Sequence, residues 1–215
     1  MGKTTYIYPE KVWSIPRLWD GQDVFIVAGG PSVMDLNYDL LVDKNVLGVN
    51  SAVYFRFVDV LFFGDAKWYW WNRKMIQKFD GLKITVNKLV EGRDPSVHEE
   101  PDINVVRCPS TRGLHTEPDK VCWNKSSGGC AINVAIHLGA KRIILLGYDM
   151  KRTYDRKNWN PHQSEKTNQN PYEHQGATLP HMWNAIQNKT DVQVLNATEG
   201  SAIDCFPKVK LEDVV

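Results

Sequence analysis

Short apolar runs recur along the chain, and most are continuous rather than alternating: "VFIVA" (24–28), "VLGVN" (46–50), "DVLFFG" (59–64), "LKITV" (82–86), "INVVRC" (103–108), "RIILLG" (142–147) and "VQVLN" (192–196). A strand covered on one face alternates apolar and polar residues, whereas a strand covered on both faces reads as an unbroken run. These seven runs therefore read as strands of a buried parallel sheet. Helical patterns stand between several of them: "MDLNYDLL" (34–41), "AKWYWWNRKMIQKF" (66–79), "GGCAINVAIHLGA" (128–140) and "LPHMWNAIQN" (179–188). Alternation of this kind predicts an α/β Rossmann-like fold, a mostly parallel sheet with helices on both faces. Residues 151–178 break the rhythm, being polar, rich in Asn, Lys, Gln and Pro, and without periodicity. A long irregular stretch in a compact fold reads as a lid-like insertion, here within a single nucleotide-binding domain spanning 1–215.

Size and charge narrow the classes. A chain of 215 residues suits one domain with a buried sheet, and a net charge of +1 removes whole-molecule attraction to nucleic acid, leaving only local patches. No apolar run is long enough to cross a bilayer, and the polar start "MGKTTYIYPEK" is not a signal peptide. Its "GKTT" lacks the earlier glycine and preceding strand of a phosphate-binding loop. Cys108, Cys122, Cys130 and Cys205 lie far apart with no C-x-x-C pair, which suggests reduced thiols in a cytoplasm.

Ligands of open α/β sheets bind beyond the carboxyl ends of the strands, so the strand ends are candidate site positions. The first strand runs into Gly29, Gly30, Pro31 and Ser32, the second into Asn50, the third into Gly64 and Asp65, and the sixth into Gly147, Tyr148 and Asp149. Ser126, Ser127 and Gly128 open a helical pattern. At the first turn, glycines without Cβ atoms let a ligand approach the backbone and tolerate positive φ, and Ser32 is placed to cap a helix and meet an anion. The turn is not G-x-G-x-x-G, and no acidic residue follows at the distance of a ribose clamp. The serines before the second helix read first as N-caps and second as an anion site. No D-x-D motif ends a strand, so no metal is required.

Among the histidines, His137 reads as packed within an apolar helix, while His174 in "NPYEHQG" precedes the last helix and is a candidate general base. In "GDAKWYWWNRKM", Trp68, Trp71 and Met75 share helical spacing and read as a core stripe. Trp70 and Tyr69 would then point elsewhere, beside Lys67, Arg73 and Lys74, where aromatic rings can stack on a base or sugar.

Taken in order, "VFIVAGGPSVMDLNYDLL", "GVNSAVYF", "DVLFFGDAKWY", "NKSSGGCAINVAIHLGAKRIILLGYDM", "YEHQGATLPHMWNAIQ" and "VQVLNATEGS" resemble the superfamily that joins bacterial lipooligosaccharide sialyltransferases to the DUF115 proteins. That superfamily includes 6-hydroxymethylpterin diphosphokinases and small stand-alone phage or prophage proteins. The resemblance implies a glycosyltransferase-like enzyme using a nucleotide-sugar donor, CMP-linked or other, with Gly29, Gly30, Ser32, Asn50, Ser127 and Gly128 around the nucleotide, to which the reading of strand ends and helix starts adds Pro31, Asp65, Ser126 and Asp149. His174 would deprotonate the acceptor hydroxyl, supported by Tyr172. Where the family has a phosphate-steadying tyrosine after the strand-six aspartate, this chain reads Met150-Lys151-Arg152, so Lys151 or Arg152 would meet the phosphate charge instead. The acceptor is left open among a glycan, a small molecule and a modified DNA base, as is homo-oligomerisation; no membrane partner is expected, and a phage protein would work in the host cytoplasm. Two alternatives stand beside this reading. One is a diphosphokinase using ATP and Mg²⁺ at Asp65 and Asp149, and the other is a non-catalytic nucleotide- or DNA-binding accessory protein.

Overall fold

The computed structural model describes residues 6–7, 13–87, 89–90, 100, 102–152, 158–160 and 172–215, without the side chains of residues 6, 7, 87, 89, 90, 173 and 174. Its elements are β1 (Tyr6–Ile7), β2 (Asp23–Val27), β3 (Asn45–Val49), β4 (Val60–Phe63), α1 (Ala66–Gln77), β5 (Leu82–Asn87), β6 (Leu89–Val90), β7 (Ile103–Ser110), β8 (Lys120–Cys122), α2 (Ser127–His137), β9 (Arg142–Leu146), α3 (Tyr172–Gly176), α4 (Leu179–Lys189) and β10 (Gln193–Asn196). Eight strands form one sheet in the order β10-β9-β2-β3-β4-β5-β7-β8, every neighbouring pair parallel. The remaining two, β1 and β6, make a small antiparallel ribbon.

All seven apolar runs are strands of that sheet, and their side chains divide between two cores. Val24 and Ile26 of β2, with Leu47 and Val49 of β3, pack under α2 and α4. Phe25 and Val27 face the other way with Val46 and Ile144, and on that same side Leu61 and Phe63 of β4 meet Trp68, Tyr69 and Ile76 of α1. Helices thus cover both faces, as unbroken apolar strands require. Among the described residues, no helix is long and apolar enough to cross a membrane.

Two expectations are corrected. "MDLNYDLL" is not one helix but two single 3₁₀ turns, Pro31–Asp35 and Tyr38–Leu41. Leu36 between them is extended, and the Asn37 side chain accepts from Asp39 N–H at 3.2 Å, starting a new turn. A short polar side chain competing for backbone donors ends a helix in this way. The core stripe of α1 is Trp68, Tyr69 and Ile76, with Met75 half-buried against it, whereas Trp71, expected in the stripe, is exposed. Tyr69 stacks on Phe63 at 5.5 Å between centroids, which turns Trp70 and Trp71 outward.

The chain begins the main sheet at β2, moves outward through β3, β4, β5, β7 and β8, and then returns to β9 on the opposite side of β2. The connection after β2 crosses to the face of the 3₁₀ turns, while the one after β9 leads to α4 on the other face. The carboxyl ends of β2 and β9 therefore flank a topological switch point, where a crevice opens in sheets of this kind.

Candidate functional site

The first glycine turn is built by close approach rather than by unusual dihedrals. Gly30 has φ −68° and ψ 148°, so the expected positive φ is not used there. Glycine is demanded instead because a Cβ at this position would overlap Asp149 Oδ2 and Gly147 O. Gly30 N–H donates to Gly147 O at 2.9 Å, and Trp159 N–H donates to Gly29 O at 3.1 Å. Pro31 is buried as the first residue of the 3₁₀ turn. Ser32 donates to Asp149 twice, from N–H to Oδ1 at 3.1 Å and from Oγ to Oδ2 at 2.7 Å. The loop after β9 thus clamps the loop after β2, using a buried carboxylate whose charge these donors stabilise.

The second turn has the opposite character. Asn124 and Lys125 both take left-handed backbone, φ 45° and 58°. Asn124 is buried and held by its side chain, which accepts from Gly113 N–H and donates to Gly113 O, both at 3.0 Å. Ser126 then caps α2, its Oγ accepting from Gly129 N–H at 2.9 Å, as the plain capping reading has it. The amides of Ser127 and Gly128 open α2, where no helical carbonyl can reach them. Tyr148 Oη donates to Gly128 O at 2.9 Å, tying this turn to the end of β9. Burial pushes the Tyr148 phenol well above its usual pKa, so it stays a neutral donor.

These two turns line one cleft of about 320 Å³. Of the residues expected from sequence, Gly29, Gly30, Asn50, Asp65, Ser126, Ser127, Gly128, Asp149 and Tyr172 line it. Pro31, Ser32 and Lys151 do not line it: the first two support the turn from behind, and a Cβ on Gly200 would lie 3.4 Å from Lys151 Nζ. His174 belongs to α3, between the cleft-lining Tyr172 and Gln175, and its side chain lies outside the described residues. Most of the lid segment, 153–157 and 161–171, also lies outside them, although Asn158 lines the cleft. Asp65 caps α1, accepting from Lys67 N–H at 2.8 Å. The Tyr172 phenol is raised above its usual pKa by burial and then by Asp149, with Arg152 pulling the other way.

Sequence reasoning missed Lys125 and Trp123, which also line the cleft. The signal for Lys125 was its place directly before a serine-capped helix. Strain gathers here too. Of five non-glycine residues with positive φ among those described, Asn50, Lys125 and Met150 line the cleft and Asn124 adjoins it. Backbone held in sparsely populated regions collects at functional sites. Asn50 Oδ1 and Trp68 Nε1 are buried in residues lining the cleft and find no hydrogen-bond partner among the described residues. An acceptor and a donor lacking partners in a cleft wall are what a polar ligand satisfies. No group of three His, Cys, Asp or Glu residues among those described is arranged to hold a metal ion.

No protein-family model and no curated protein sequence matches the chain. Solved structures do. The sialyltransferase CstII from Campylobacter jejuni, in complex with the substrate analogue CMP-3FNeuAc, is similar with a TM-score of 0.53 at 14% identity, over 87% of this chain and 86% of that one. The same enzyme in complex with cytidine-5'-monophosphate gives a TM-score of 0.55 at 15% identity, over 88% and 85%. The likeness is one of fold: this chain has a Rossmann-like α/β fold similar to that of this sialyltransferase.

Proposed function

We propose that the protein is a glycosyltransferase that binds a nucleotide-activated sugar, of which a CMP-linked sugar is the first candidate, in the cleft between β2, β9 and the start of α2. One observation carries the reading. The Gly29–Gly30 turn and the Ser126–Gly128 turn, distant in sequence, wall a single cleft at the switch point, on a fold shared with an enzyme solved with cytidine-5'-monophosphate.

In this mechanism the donor phosphate lies against the Ser127 and Gly128 amides, where the positive end of the α2 dipole and the Lys125 ammonium hold its charge. Nucleoside atoms pair with Asn50 Oδ1 and Trp68 Nε1. His174 takes the proton of the acceptor hydroxyl as its oxygen attacks the anomeric carbon. The carbon–oxygen bond to phosphate breaks, and the nucleotide departs with the electron pair. Tyr172, neutral and close to Asp149, steadies that region as the charge shifts.

Incubation with a panel of nucleotide sugars tests this. Release of free nucleotide and its transfer product should fall at least a hundredfold in His174→Ala, while nucleotide affinity stays within twofold. If no nucleotide sugar is bound or turned over, or if His174→Ala turns over as the parent does, the reading fails. The diphosphokinase alternative has both its carboxylates, Asp65 and Asp149, in the same cleft. It would show as ATP binding that EDTA abolishes.

A further inference from the structure

The outer face of α1 exposes rings that a folding argument would hide. Trp70 is 36% exposed, Trp71 54%, and Tyr54, reaching across from the turn after β3, 42%. They rim a surface groove of about 610 Å³ whose wall also carries Arg73 and Lys74. The rings are positioned rather than loose. Tyr54 Oη donates to Asn72 Oδ1 at 2.9 Å, and Asn72 Nδ2 donates to Trp68 O at 2.9 Å. Trp70 stands edge-on to buried Tyr69, 5.1 Å between centroids. Lys67 Nζ lies 4.9 Å from the centre of Trp71, and the Arg73 guanidinium 5.3 Å from that of Trp70. Two tryptophan rings kept partly in water forgo apolar burial, which is expected of a surface awaiting a partner.

Trp71 belongs both to this groove and to the cleft. Whatever lies on the groove therefore abuts the donor site. The geometry points to this surface as the acceptor platform, taking a short anionic saccharide: pyranose C–H faces rest on the tryptophan rings, and a carboxylate or phosphate group meets Lys74 and Lys67. The electron-rich face of an indole attracts the weakly positive hydrogens of a sugar ring, the same quadrupole that draws cations. This assignment rests on the glycosyltransferase reading for its purpose, though not for its binding surface.

The charge inventory decides against nucleic acid. Arg73 is engaged by Glu100 at 2.6 Å, which leaves Lys74 in the groove wall and Lys67 over the Trp71 ring as the nearby cations with no ion-pair partner among the described residues. Neutralising two phosphates gives a salt slope of only about −1.4 on a single strand, far from what holds a nucleic acid at physiological salt. For one acidic sugar, two ammonium groups are ample.

Saturation-transfer NMR with cellobiose, cellobiouronic acid and the oligonucleotide dT10 tests the assignment, beside a separate titration with CMP. Cellobiouronic acid should receive saturation mainly on the hydrogens of one ring face. Its affinity should drop at least fivefold in Trp70→Ala, recover in Trp70→Phe and drop about threefold in Lys74→Ala, with CMP affinity unchanged in all three. Absence of transfer to either disaccharide, tighter binding of dT10, or cellobiose binding as well as its acid overturns the proposal. CMP binding without saccharide binding sinks the platform alone, and saccharide binding without CMP sinks the donor reading alone.

Discussion

The two turns that wall the cleft are written in nearly the same residues and are used in opposite ways. In the Gly29–Ser32 turn the polar groups are committed within the protein: Ser32 is bound through both donors to Asp149, Gly30 N–H to Gly147 O, and Gly29 O to Trp159 N–H. In the Ser126–Gly128 turn only the cap is committed, and the first amides of an eleven-residue helix face the cleft beside a lysine in left-handed backbone. In the proposed donor site the first turn supplies shape, a floor low enough for a ligand to lie on. The second supplies charge. Glycine and serine at a strand end therefore announce a site without saying which of these contributions they make; that is settled by what packs behind them.

Substitutions can break this contrast. The largest effect is expected at Gly30→Ala, whose Cβ would collide with Asp149 and the Gly147 carbonyl. Chemical denaturation should show a loss of about 3 kcal/mol or more. A stability change under 1 kcal/mol would mean the first turn is not clamped as described. Asp149→Asn comes next. It trades one acceptor for an amide donor facing Ser32, and the folded state should lose about 2 kcal/mol, with little loss if Asp149 serves the ligand instead of the turn.

Lys125→Gly should act in the opposite direction. It relieves a left-handed φ of 58° and removes a cation from the positive end of α2, so stability should rise by about 1 kcal/mol. Nucleotide affinity should fall roughly tenfold, about 1.4 kcal/mol. A variant that gains stability and keeps its affinity would strip the second turn of its electrostatic part.

The smallest effect is a pH slope carried by His137 near the other end of α2. Burial holds this imidazole below its ordinary pKa of 6.5, even though its Nε2 donates to Lys120 O at 2.8 Å; His115 adds to the lowering and Glu117 opposes it. A depressed histidine contributes stability that is fully present above the unfolded value and is lost as pH falls from 6.5 through the folded value. Denaturation midpoints should therefore decline below about pH 6.5 in the parent, and His137→Gln should flatten that decline.

Much of the fold was legible because its strands are buried on both faces, which leaves unbroken apolar runs in the chain. Three-residue β8 was not, since "KVC" is too short to carry a period. The outward turn of Trp71 was not legible either, because helical spacing alone cannot tell which of several adjacent aromatics finds the core; Phe63 beneath Tyr69 decides it. At the site, the strand-end rule collected Gly29, Gly30, Asn50, Asp65, Gly147, Tyr148 and Asp149 among the lining residues. What it could not show was the pairing of Ser32 with a carboxylate 117 residues away, or that a lysine would be tolerated in strained backbone at a helix start. Both depend on contacts that exist only once the loops after β2 and β9 meet.

Backbone amide NMR during a titration with cytidine 5'-monophosphate is the most direct measurement. Resonances of Gly29 and Gly30 should shift together with those of Ser127 and Gly128, along one saturation curve, with the larger displacement at α2. Shifts at one turn only, shifts confined to the far side of the sheet, or none at saturating nucleotide would contradict a shared site.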